Sequence, residues 1–98
     1  MERKMTTEAL LALVFDTESV MAKHSDDMAR RLLWELDGMI ADYHRSLAIV
    51  QLSGNYSSKG HLCTSMLSSL KDDELKQVLQ NVRAMVLADL ERRGIMDV

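Results

Sequence analysis

Apolar residues recur at helical spacing along most of this chain, and the polar residues between them mark where helices stop and start. The longest row runs Met28, Leu32, Leu36, Met39, Tyr43, Leu47, Val50. Steps of four and three residues keep one face of an α-helix apolar. The cap-and-carboxylate run Ser25-Asp26-Asp27 opens the row. Ser53-Gly54-Asn55 closes it after Leu52, because Gly and Asn accept the left-handed turn of a helix stop. The pattern predicts one long helix of about 40 Å at 1.5 Å per residue, with Gly38 its weak point. Leu33, Ile40 and Ala48 lie beside the main row, and Trp34 and Ala41 on another side. A monomer of this size cannot cover so many apolar rows, so the excess predicts a second chain.

Shorter patterns flank it. Leu62, Cys63, Met66, Leu67 and Leu70 form one stripe on a short helix of about three turns, with Ser57 and Ser58 as candidate caps. Such a helix is marginal alone and must be held by packing. Lys71-Asp72-Asp73-Glu74 precedes a last helix, with Asp72 the expected cap. Its stripe is Leu75, Val78, Leu79, Val82, Met85, Val86 and Leu90; Arg92-Arg93 suits its C-terminal dipole and Gly94 its stop. Near the start, Thr6 or Thr7 can cap a leading helix that buries Leu10, Leu11, Val14 and Phe15 and weakens at Asp16-Thr17-Glu18-Ser19. These elements predict one all-α domain over 1–98, with 1–5 frayed and 54–59 a central loop. It is a small bundle of one or two long helices plus two shorter ones, completed by dimerisation. Its core or dimer interface is expected to draw on Met28, Leu32, Leu36, Met39, Tyr43, Leu47, Leu62, Cys63, Met66, Leu67, Leu70, Val78, Val82 and Met85.

Composition sharpens this. Of 98 residues 47% are apolar, eight are Met and four are aromatic. A Met-rich core is adaptable, and Met-rich faces often receive other helices. Proline is absent, which favours long uninterrupted helices. The net charge of −3 argues against broad, non-specific nucleic-acid binding. One cysteine excludes an internal disulfide framework, so a reducing compartment, the cytoplasm, is expected. Arg3-Lys4 ahead of the apolar run 9–15 imitates a signal peptide, but Glu8 abuts the run and no small-residue cleavage site follows. No apolar segment approaches the length of a membrane span.

Little invites chemistry. His24, His44, His61 and Cys63 are scattered, and His61 and Cys63, two residues apart on a helix, point in different directions. Zinc needs three or four converging ligands, so no metal, cofactor or small-molecule substrate is expected. Asp26, Asp27, Asp72, Asp73 and Glu74 sit at helix starts, where capping accounts for them better than acid–base catalysis. Gly54 and Gly60 lack the motif of a phosphate loop. The basic pairs Arg30-Arg31 and Arg92-Arg93 read first as solvated faces and second as contacts to a partner or to phosphates.

The stretch Leu52-Ser53-Gly54, a polar loop holding Lys59, then Leu62-Cys63, Met66-Leu67 and Leu70, resembles the small enterobacterial YmgB/AriR family of biofilm-development and phosphorelay connector proteins. The likeness runs without a gap over 51–70. Ala9 to Phe15 resembles the family's opening aliphatic segment, with Val14 where the family usually has Tyr, and the segment between Phe15 and Gly54 is longer here. The resemblance implies a non-enzymatic regulator that modulates biofilm and stress (acid) responses by touching a bacterial signalling protein. Two other readings stand beside it. Direct DNA or nucleoid binding needs the Arg pairs of two chains gathered on one face. An inhibitor or antitoxin of mobile-element origin needs one tight partner.

Overall fold

The computed structural model describes residues 24–56 and 61–94, and every regular element among them is helical. They are α1 (Asp26–Ala41), α2 (Arg45–Asn55), α3 (His61–Ser68) and α4 (Asp72–Arg93). The expected leading helix with Leu10, Leu11, Val14 and Phe15, the caps Ser57 and Ser58, and the side chains of Leu62 and Cys63 lie outside the described residues.

α1 begins where the sequence indicates: Ser25 Oγ accepts the Met28 amide at 3.2 Å, with Asp26 and Asp27 in the first turn. It ends earlier than the apolar row does. Asp42 leaves helical geometry (φ −127°, ψ 68°), and His44 at φ −139°, ψ 112° starts α2, its Nδ1 accepting the Leu47 amide at 3.4 Å. The expected single rod is therefore two helices joined by a tight corner. Asp, Tyr and His are all mediocre helix formers, and Asp and His compete for backbone groups. The apolar spacing runs on unbroken across the corner, so it could not show the bend. What bending gains is burial: Ala48, Ile49 and Leu52 of α2 fold back into the same core as Ala29, Leu32, Leu36 and Met39 of α1. α2 also runs through Gly54 to Asn55, and Tyr56 caps it.

α4 is the longest element, 22 residues or about 33 Å, and α1 and α2 both pack on it. Its Leu75, Val78, Leu79, Val82, Val86 and Leu90 are buried, as the stripe predicts. Gly94 stops it in the left-handed conformation (φ 73°, ψ 23°), its amide reaching the carbonyls of Leu90 and Glu91. Its start differs from expectation. Lys71 is the capping position, and its amide donates to Glu74 Oε1 at 2.9 Å. Asp72 already lies in the helix and is free for other work. α3 is eight residues long, nearer two turns than three, and seats Leu67 in the core.

Candidate functional site

Two polar clusters hold the helices in place, and neither is visible as a unit in the sequence. The first ties the α1–α2 corner to the α3–α4 corner. Arg45 Nη2 donates to the carbonyls of Ser68 at 2.8 Å and Leu70 at 2.5 Å, satisfying orphan acceptors at the end of α3. Its Nη1 donates to Asp72 Oδ1 at 2.9 Å, and the Tyr43 hydroxyl donates to the same oxygen at 3.1 Å. Lys76 Nζ lies 5.0 Å from the centre of the Tyr43 ring. The hydrogen bonds from Arg45 and then Tyr43 hold the Asp72 carboxyl below the usual carboxylate range. Burial, then Asp72, pushes the Tyr43 phenol up. Tyr43 thus belongs to a polar knot as well as to the edge of the core.

The second cluster joins the first turn of α1 to the last turn of α4. Asp89, only 6% exposed, sits in the apolar stripe of α4. Arg92 Nη2 donates to its Oδ1, and Arg93 Nε lies 2.8 Å from its Oδ2. Arg93 Nη1 also donates to the His24 carbonyl at 2.9 Å and to Asp26 Oδ1 at 3.1 Å. Arg92 and Arg93, expected first as a solvated face and second as contacts to a partner or to phosphates, both form ion pairs with Asp89 within the chain. The sequence holds the signal: an acid on the buried face followed by arginines three and four residues on. A third link, Arg83 to Asp37, staples the middles of α4 and α1.

Tyr56 falls in the polar loop that the sequence predicts and is instead buried, its hydroxyl donating to the Leu32 carbonyl of α1 at 3.2 Å. Burial, reinforced by Glu35, drives its phenol far up from the ordinary tyrosine value.

Of the expected interface residues, Leu32, Leu36, Met39, Leu67, Val78 and Val82 are buried, and Tyr43, Met66, Leu70 and Met85 are half-buried against them. Met28 and Leu47 are not core residues: both are exposed, as are Val50 (64%) and Trp34 (77%). The bend explains Leu47, because turning α2 onto α4 swings Leu47 and Val50 to its outer side. Between α1 and α2 an open groove of about 290 Å³ is lined by Glu35, Gly38, Met39, Asp42, Leu47 and Gln51. Its lining combines apolar Met39 and Leu47 with the carboxylates of Glu35 and Asp42. Arg30 and Arg31 are exposed on α1; Arg31 approaches Glu35 at 3.6 Å, and Arg30 makes no ion pair among the described residues. No three His, Cys, Asp or Glu side chains gather as metal ligands among the described residues, and no described helix is long and apolar enough to cross a membrane.

No protein-family model, curated protein or solved structure matches this chain. The functional reading therefore rests on the surface just described and on the residues of 51–70. His44, scattered in sequence from any chemical partner, is engaged with the Leu47 amide as a cap. Arg45, Asp72 and Asp89, the polar groups that do converge, are each held in ion pairs that brace the fold.

Proposed function

We propose that this chain is a non-enzymatic bacterial regulatory protein of the cytoplasm that acts by protein contact. It would work as the phosphorelay connectors of the YmgB/AriR family do, modulating biofilm and stress (acid) programmes. The observation that carries the reading is the groove between α1 and α2. It is lined by exposed Leu47, by buried Met39 and by the carboxylates of Glu35 and Asp42. Apolar area with a charged rim is the anatomy of a protein interface, and such a groove suits an amphipathic helix flanked by basic residues. The resemblance of 51–70 supplies the partner class, a signalling protein.

The test is affinity capture from a bacterial host followed by reconstitution with the purified partner. The Leu47→Asp variant should fold normally, since the position is exposed, and lose affinity by at least about tenfold. Unchanged affinity would refute the groove as the contact. Nanomolar binding of promoter DNA at physiological salt, lost when Arg30, Arg31, Arg92 and Arg93 are changed to Ala, would replace this reading with the DNA-binding one.

A further inference from the structure

The outer face of α1 adjoins the groove, shares Gly38 and Asp42 with it, and adds Trp34 and Arg30, which the partner reading does not use. Trp34, the chain's single tryptophan, projects almost wholly into water. A large aromatic so placed leaves much apolar area exposed. One turn further along the same face is Gly38, where a Cβ would meet nothing within 4 Å, so the backbone there is open to close approach. The two ends of the face carry opposite charge. Arg30 and Arg31 lie one turn before Trp34, and Asp42 lies one turn beyond Gly38. Neither Arg30 nor Asp42 has an ion-pair partner among the described residues.

We infer that this face is the meeting surface of two copies of the chain, with their α1 helices antiparallel. If Trp34 of one copy lies over Gly38 of the second, antiparallel register places Arg30 across from Asp42 of the second copy and Arg31 within reach of it. The two-fold axis repeats both contacts. One arrangement thus covers two tryptophans, fills two glycine notches and pairs both charged ends. A parallel arrangement would set Arg30 and Arg31 against their own copies, which like charges oppose. The contact is isologous, so it closes at two chains. It shares Gly38 and Asp42 with the edge of the groove and leaves Leu47 exposed; its test reads the mass of this chain alone, so its failure is distinguishable from failure of the partner contact proposed above.

The test uses the full chain and two readouts, mass by sedimentation or light scattering and Trp34 fluorescence, from micromolar to hundreds of micromolar. The mass should rise from 11.1 kDa toward twice that value, and the emission should shift to shorter wavelength over the same range. Trp34→Ala should weaken association by about tenfold or more. Two reversals give the decisive result. The Arg30→Glu/Arg31→Glu chain and the Asp42→Arg chain should each stay monomeric, because each opposes like charges at both ends. Mixed together they should form a heterodimer, because each then supplies what the other lacks. That recovery also shows that both variants fold. A wild type that remains monomeric at the highest concentration overturns the proposal. So does short-wavelength emission at every concentration with a monomeric mass, which would mean that another part of the same chain covers Trp34. Reversals that self-associate like wild type, or a mixture that stays monomeric, overturn it as well.

Discussion

Replacing Tyr56 with Phe removes one oxygen from the centre of the molecule and should change stability in opposite directions at neutral and alkaline pH. The Tyr56 hydroxyl donates to the Leu32 carbonyl at 3.2 Å from a fully buried ring. That carbonyl lies inside α1 and keeps its role as an intrahelical acceptor, so removal of the hydroxyl leaves no orphan. The neutral-pH cost should then be that of one ordinary net hydrogen bond, about 1 kcal/mol. Alkali reverses the balance. An unfolded tyrosine loses its proton near pH 10, whereas folded Tyr56 holds it to higher pH because burial disfavours the phenolate. A group with a raised folded-state value contributes stability that is complete below the unfolded value and is lost as pH climbs above it. The loss is about 1.4 kcal/mol per pH unit for one such group. The Tyr56→Phe variant has nothing to titrate at this position. The two stability curves should therefore cross within about one pH unit above 10, with the variant the more stable protein beyond that point. Every other group is common to the two proteins and cancels in the difference. Urea unfolding followed by far-UV circular dichroism at neutral pH and at several values above 10 measures the gap directly. A gap that stays constant through that range would refute the assignment of Tyr56 as a buried, protonated donor.

Two further substitutions test the packing and the braces. Leu67→Asp places a carboxylate where the side chain is fully buried and should cost several kcal/mol, whereas Ser68→Asp, on the exposed side of α3, should leave thermal stability nearly unchanged; equal melting temperatures would mean the buried face of α3 is misplaced. Arg93→Met should destabilise more than Arg92→Met, by roughly 2 kcal/mol, because the Arg93 side chain is 19% exposed and joins Asp89 to Asp26 and His24, while Arg92 is 63% exposed. Equal losses in chemical unfolding would show that Asp89 does not depend on the buried partner.

What the sequence reveals follows from what apolar spacing can encode. The stripe of α4 is legible from Leu75 to Leu90 because each residue faces one continuous core, and Ser25 and Gly94 are legible because capping is a local rule. The corner at Asp42 is not. Both sides of it carry apolar residues at helical spacing, and a bend that preserves the spacing leaves no trace in the period. Asp72 escapes the sequence for a related reason: any acid in a run at a helix start satisfies the capping pattern, and only the approach of Arg45 from a distant turn decides which one is used elsewhere. Arg45 and Asp72 are 27 residues apart, so their pairing is a property of the fold. Tyr56 is hidden because its neighbours are polar, although its own hydroxyl finds a partner on α1.

The corner between α1 and α2 also decides which molecule α2 belongs to. Glycine and proline are both absent from Asp42-Tyr43-His44, so nothing covalent enforces the bend, and the apolar row is already written for a continuous rod. Opening the corner would carry Ala48, Ile49 and Leu52 away from their own α4 and offer them to the α4 of another chain, the exchange known as domain swapping. What opposes it is the reach of Arg45 to Ser68, Leu70 and Asp72, the Tyr43–Asp72 hydrogen bond and the His44 cap. These few polar contacts select between a self-contained protomer and an entangled pair built from the same surfaces.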